Sequence, residues 1–140
     1  MKKTLFILAC CCSLFLGCSS KENFAGSWET TLLSKDGVVQ SLCISGMEIK
    51  QEGNTWAVSG NSGVNRFMGS FAASKGKITP DDKFASTRMM GTPEAQEFED
   101  LFLKAFTFAD SYTLKDNILR IENSKDNLIL EFKKTNWKNF

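Results

Sequence analysis

From Gly26 to Phe132 the apolar residues recur with the two-residue period of β-strands, and the period becomes helical only once, near Pro93–Ala105. A chain with one helix among many strands cannot build repeated βαβ units, so a doubly wound parallel sheet is excluded. Gly26–Leu33 is rich in strand formers, and Asp36-Gly37 is a turn dipeptide that leads into a second run, Val38–Ile44. Met47–Lys50 alternates, Glu52-Gly53-Asn54 turns the chain, and Thr55–Ser59 returns it. Lys77-Ile78-Thr79 is a short strand ended by Pro80. The last third reads as hairpins: Ser111–Leu114, a turn at Lys115-Asp116-Asn117, Ile118–Glu122, a second turn, then Leu128–Phe132. Alternation of this kind implies one buried and one wet face per strand. About six to eight strands with one helix give an α+β domain, expected as a small antiparallel sheet, rolled or barrel-like around the helix.

The helix has clear boundaries at its start. Thr92 suits the N-cap and Pro93 the first helical position. Glu94, Glu97, Glu99 and Asp100 load the first half, where the helix dipole favours negative charge, and Lys104 lies nearer the other end. Phe98, Leu101, Phe102 and Ala105 follow the spacing of a buried stripe, read as core packing rather than a ligand pocket.

The first seventeen residues have a different character. Met1-Lys2-Lys3 is followed by an apolar run, Leu5–Leu16, broken only by Ser13. A helix needs about 20 apolar residues to cross a bilayer, so this run describes an export signal rather than a span. It ends in Leu14-Phe15-Leu16-Gly17-Cys18, which resembles the bacterial lipobox in a relaxed form. That resemblance implies diacylglycerol on the Cys18 thiol and cleavage of the leader before it. Two other readings are a cut at Cys10, which leaves too short an apolar region, and a buried N-terminal helix. Ser19–Asn23 is polar and reads as a tether. Ser19 rather than Asp after Cys18 favours the outer membrane by the sorting rule of enteric bacteria. The expected organisation is therefore a signal peptide at 1–17, a tether at 18–23, a domain at 24–133 and a tail at 134–140. Trp137 sits in that tail among lysines, where a frayed terminus and a membrane contact are the competing readings.

Composition closes off several chemistries. The chain has 140 residues and no histidine, which removes every Ser-His, Cys-His and His-ligated metal mechanism. It carries 17 basic and 16 acidic residues, with no basic stripe of the kind that binds nucleic acid. Loss of Lys2 and Lys3 with the leader leaves a mature protein with one more acid than base. Four of the five cysteines lie in or just after the leader. Cys43 is then the only thiol left in the domain, expected to be buried and inert in an apolar strand, and no internal disulfide is available. Asp81-Asp82 reads as a solvated turn, and Glu94, Glu97 and Asp100 as a solvated helix face rather than a cation site. No cofactor, metal or catalytic residue is expected.

Three segments carry a family resemblance. Gly63-Val64-Asn65-Arg66-Phe67-Met68-Gly69-Ser70-Phe71, Ser86-Thr87-Arg88-Met89-Met90-Gly91 and Glu99-x-x-Phe102-x-x-Ala105, preceded by Gly26-Ser27-Trp28, resemble the META domain, also called HslJ-like. The resemblance runs from Phe24 to about Phe132. Gly63, Asn65, Gly69, Thr87 and Met89 match its motifs, and a loop-tying role is expected for the polar ones. Arg66 or Arg88 as an anion fork is the other reading. The two cysteines of the family pattern are Val64 and Gly91 here, absent together, as follows if they pair in relatives, and Phe71 stands for the usual Tyr.

The resemblance implies a non-enzymatic envelope protein, held on the membrane by Cys18, with links to envelope stress, drug tolerance and motility. Its expected partner is an unidentified envelope protein or an apolar ligand, and not nucleic acid. The alternative is an inhibitor-like lipoprotein that blocks a hydrolase such as lysozyme, with Gly60–Gly69 as the plug.

Overall fold

The computed structural model describes residues 21–136. The leader, Cys18 and Trp137 lie outside the described residues. Ten strands and one helix follow the chain in the order β1 (Gly26–Lys35), β2 (Val38–Val39), β3 (Gly46–Glu52), β4 (Thr55–Asn61), β5 (Arg66–Ser74), β6 (Lys77–Pro80), β7 (Ala85–Ser86), α1 (Pro93–Thr107), β8 (Ser111–Lys115), β9 (Ile118–Asn123) and β10 (Leu128–Thr135). Every strand pairing is antiparallel.

The sheet runs β10-β9-β8-β6-β5-β4-β3-β1, and β10 pairs with β1 to close it into a barrel. Closure leaves no open edge along the long strands, which removes the template for edge-to-edge association. The register sets the faces. Trp28 lies opposite Met47, Met47 opposite Gly60, and Gly60 opposite Phe67. On the closing side, Leu33 lies opposite Leu130 and Leu130 opposite Ile121. The residues of these rows are buried, so the interior is filled with side chains rather than open.

The helix starts where its sequence says it starts. Thr92 accepts a hydrogen bond from Ala95 N, and Pro93 opens the first turn. Its stripe of Phe98, Phe102, Ala105 and Phe106 is buried and closes one end of the barrel. Phe102 meets Phe67 and Phe132 at ring separations of 5.5 and 5.9 Å, and Phe106 meets Phe71 at 6.1 Å. Leu101, expected in the stripe, is only partly buried, and Phe106 takes its place.

One strand is shorter than the sequence pattern implies. The run Val38–Ile44 pairs only at Val38 and Val39, and residues 40–45 pass beside β1 as a loop. Two backbone bonds hold it there, from Gln40 N to Leu33 O and from Thr30 N to Ser45 O. The physical reason is that β1 already closes the barrel through β10 and pairs with β3 over its first half. The run is not needed as a stave, and Val38, Val39, Leu42 and Ile44 remain exposed. Cys43 is therefore in a loop, not a strand, and it is half-buried rather than buried.

At the opposite end Phe24 is 1% exposed, wedged edge-on against Trp56, Phe71 and Tyr112. Its carbonyl accepts from Trp28 Nε1 at 2.8 Å. The tyrosine hydroxyl donates to Glu22 Oε2. This short N-terminal stretch stops the barrel as the helix stops its other end.

Candidate functional site

Gly63, Asn65, Thr87 and the Met89 backbone meet in one place, the turn between β4 and β5, while Gly69 lies apart within β5. Asn65 is 2% exposed and has a partner for every polar atom of its side chain. Its Oδ1 accepts from Met89 N at 2.6 Å and from Thr87 Oγ1 at 2.9 Å. Its Nδ2 donates to Met89 O at 3.1 Å and to Glu99 Oε1 at 2.9 Å. Glu99 Oε2 in turn accepts from Val64 N at 3.0 Å and Asn65 N at 2.9 Å. One turn, one incoming loop and the helix are thereby tied through two side chains.

Smaller bonds finish the knot. Thr87 Oγ1 accepts from Arg66 N, and Thr87 N donates to Arg66 O. Ser62 donates to Asn65 O through both its amide and its hydroxyl. Gly63 has φ +118°, a backbone conformation L side chains rarely adopt, and the Phe98 ring lies 3.0 Å from where a Cβ would stand. Gly69 in β5 lies under Phe84, whose ring comes within 2.5 Å of its missing Cβ. Both glycines are therefore required by packing or backbone conformation, and the Asn65 and Thr87 side chains are spent on one another, on Glu99 and on backbone groups.

What sequence reasoning missed is the inward role of Glu99, which stands both in the family motif and among the acids of the helix's first half; Glu94, Glu97 and Asp100 are exposed while Glu99 is 2% exposed. Its position between Phe98 and Phe102 on the edge of the apolar stripe is the signal that distinguishes it. Acceptor oxygens buried against three N–H donors satisfy groups that would otherwise be orphaned in the interior.

Other candidates do not converge. Asp81 caps its own turn by accepting from Lys83 N at 2.9 Å, and that bond, together with the neighbouring Asp82, holds its carboxyl below the ordinary range. Arg66 and Arg88 expose their side chains. Among the described residues no group of three or more His, Cys, Asp or Glu is placed to hold a metal ion. No helix among them is long and apolar enough to cross a membrane. Surface hollows open beside the Asp36 and Asn127 turns (about 440 Å³) and between Gly26, Asn117 and Lys134 (about 640 Å³). The Gly60–Gly69 segment does not project as a plug: its ends belong to β4 and β5, and the turn between them is bound to Glu99.

The comparisons agree with this geometry. No curated protein matches the chain. Two solved structures share the fold. A protein from Burkholderia xenovorans, solved by NMR, superposes with TM-score 0.63 at 20% identity, covering 80% of this chain and 83% of that one. A crystal structure of a DUF4847 family protein from Bacteroides vulgatus superposes with TM-score 0.55 at 13% identity, covering 81% of this chain and 95% of that one. The META domain family model matches residues 23–136, the stretch that holds the barrel, the helix and the Asn65–Glu99 knot, and the chain belongs to the META domain family.

Proposed function

We propose that this META-domain barrel is a lipid-anchored cell-envelope protein without catalytic activity, tethered through Cys18, which works by binding a partner protein and so helps to maintain the envelope under stress or drug challenge. The observation that carries the reading is the order Lys2-Lys3, Leu5–Leu16, Gly17-Cys18, followed after only a few residues by a folded domain that begins at the buried Phe24. An acyl chain contributes about 0.8 kcal/mol per CH₂ buried in the bilayer, and two or more chains hold a near-neutral protein stably. The outer membrane is the expected location.

A protein partner is better supported than an apolar ligand. The barrel interior is filled, so it offers no room for a guest. Apolar side chains are instead exposed around the helix end: Val38, Val39, Leu42 and Ile44 in the β1–β3 connection, and Met89 and Met90 before the helix. The two segments flank one turn, since Cys43 packs beside Gly63 and Gly91 packs against Val64.

Metabolic labelling with an alkyne fatty acid tests the anchor. The wild-type chain takes up label and partitions with membranes, and Cys18→Ala does neither. Label that persists in Cys18→Ala counts against the reading. Cross-linking from position 90 in the native host then identifies the partner. A second reading, hydrolase inhibition, is tested by adding the purified protein to a lysozyme assay, where no inhibition is expected.

A further inference from the structure

The two ends of the barrel differ in construction, and one of them gathers lysines on its turns. The end that receives the N-terminal stretch is made of three hairpin turns, at residues 52–55, 74–77 and 115–118. Lys21 shares a hollow there with Gly53, Asn54 and Lys75. Lys77, Lys115 and Lys133 are exposed on or beside the same turns. Among the acids of this end, Glu48 pairs with Lys50 at 3.7 Å, Glu22 is bound to Tyr112 and Glu29 lies opposite Lys133 in the β1–β10 register, while Glu52 and Asp116 remain exposed. The helix end is mixed in charge: Asp36, Glu94, Glu97 and Asp100 are exposed there, and so are Arg66, Arg88, Lys104 and Lys125.

We infer that the lysine-bearing end is a membrane-facing surface that rests on anionic phospholipid headgroups, with the helix end held away from the bilayer. The inference rests on the Cys18 anchor proposed above and adds an orientation to it. From Cys18 to Phe24 the chain spans at most about 20 Å when fully extended. β1 has 10 residues and rises about 33 Å along its axis, and a typical barrel tilt leaves about 25 Å of height. With Phe24 seated among its aromatic partners, the tether reaches the near end and falls short of the far one. The near end is also suited to headgroups in detail: Ile118 is 40% exposed and lies in register between Lys115 and Lys133, an apolar tip flanked by two bases. Each lysine near an anionic surface is worth roughly fivefold in attraction, and the effect is confined to about 8 Å at physiological salt.

Lysine acetylation footprinting on the native lipidated protein reads the orientation. The protein is placed in phosphatidylcholine vesicles, with or without phosphatidylglycerol, and modification is quantified by peptide mass spectrometry. Lys75, Lys115 and Lys133 should lose roughly threefold in labelling when phosphatidylglycerol is present, and high salt should restore it, while Lys35 and Lys125 at the helix end stay unchanged. Equal labelling of both ends on anionic vesicles, or protection of Lys35 and Lys125 instead, overturns the orientation. Intact mass on the same sample separates the two ideas: a missing acyl group defeats the anchor, and an acyl group with uniform labelling defeats the orientation alone.

Discussion

At the helix end of the barrel the chain is fastened by hydrogen bonds, and at the N-terminal end by aromatic rings. Asn65 and Glu99 tie three segments together with directional bonds whose partners are mostly backbone groups. Phe24 closes the other end with three edge-on ring contacts and one carbonyl bond. A ring cluster loses area and leaves a cavity when it is cut, a cost spread over many atoms. A polar knot fails differently, because one missing acceptor leaves buried donors without water or protein to satisfy them. The two ends therefore differ in tolerance, and substitution separates them.

The largest effect is expected at the ring end. Phe24→Ala should destabilise by about 4 kcal/mol in chemical denaturation, whereas Phe24→Leu keeps most of the volume and should cost about half of that. Equal costs for the two variants would mean that shape, not buried area, holds this end. Next, Glu99→Ala should cost about 3 kcal/mol by stranding three donors, with Glu99→Gln milder because it keeps an acceptor. Amide exchange at Val64 and Asn65 should speed up in both variants and stay slow in Phe24→Leu.

A third change sharpens the contrast by strengthening the polar end. A Cβ at Gly91 would lie 3.5 Å from Val64 Cβ, within the range a disulfide spans. Val64→Cys with Gly91→Cys should therefore form a bridge on oxidation and add about 3 kcal/mol. Thiols that stay free at positions 64 and 91 of the oxidised double variant, beyond that of Cys43, would show that the two segments are not held as described.

The smallest effect is a pH dependence at the ring end. Burial, and then the hydrogen bond to Glu22, pushes the Tyr112 phenol up to about 12. An unfolded tyrosine ionises near pH 10, so the folded state keeps its proton longer. Stability from this group is complete below about pH 10 and is lost as pH rises from there through about 12. Tyr112 is the chain's single tyrosine, so phenolate absorbance reports it alone. Tyr112→Phe should flatten this alkaline slope and cost about 1 kcal/mol at neutral pH.

Much of the fold was readable from period and punctuation. The helix from Pro93, the turns at Gly37, Gly53 and Asn117, and the final hairpins follow local rules that the structure keeps. The loop at 40–45 does not, because whether an apolar run becomes a stave depends on which strand closes the barrel, and that is a long-range fact. Asn65 and Thr87 carry the polar part of the motif, and their side chains bond across the β4–β5 turn and the loop before the helix. Glu99 stands in the family motif, but composition along a helix does not say which carboxyl turns inward. Phe24 was placed at the domain's first residue, but its role as a stopper depends on Trp56, Phe71 and Tyr112 from three other strands.

Intact mass spectrometry of the native protein, extracted from membranes without a tag, reads the anchor itself. The chain should start at Cys18 and carry diacylglyceryl mass on that residue. A chain that starts at Met1, or a mature chain with no acyl mass, would contradict the proposed anchor.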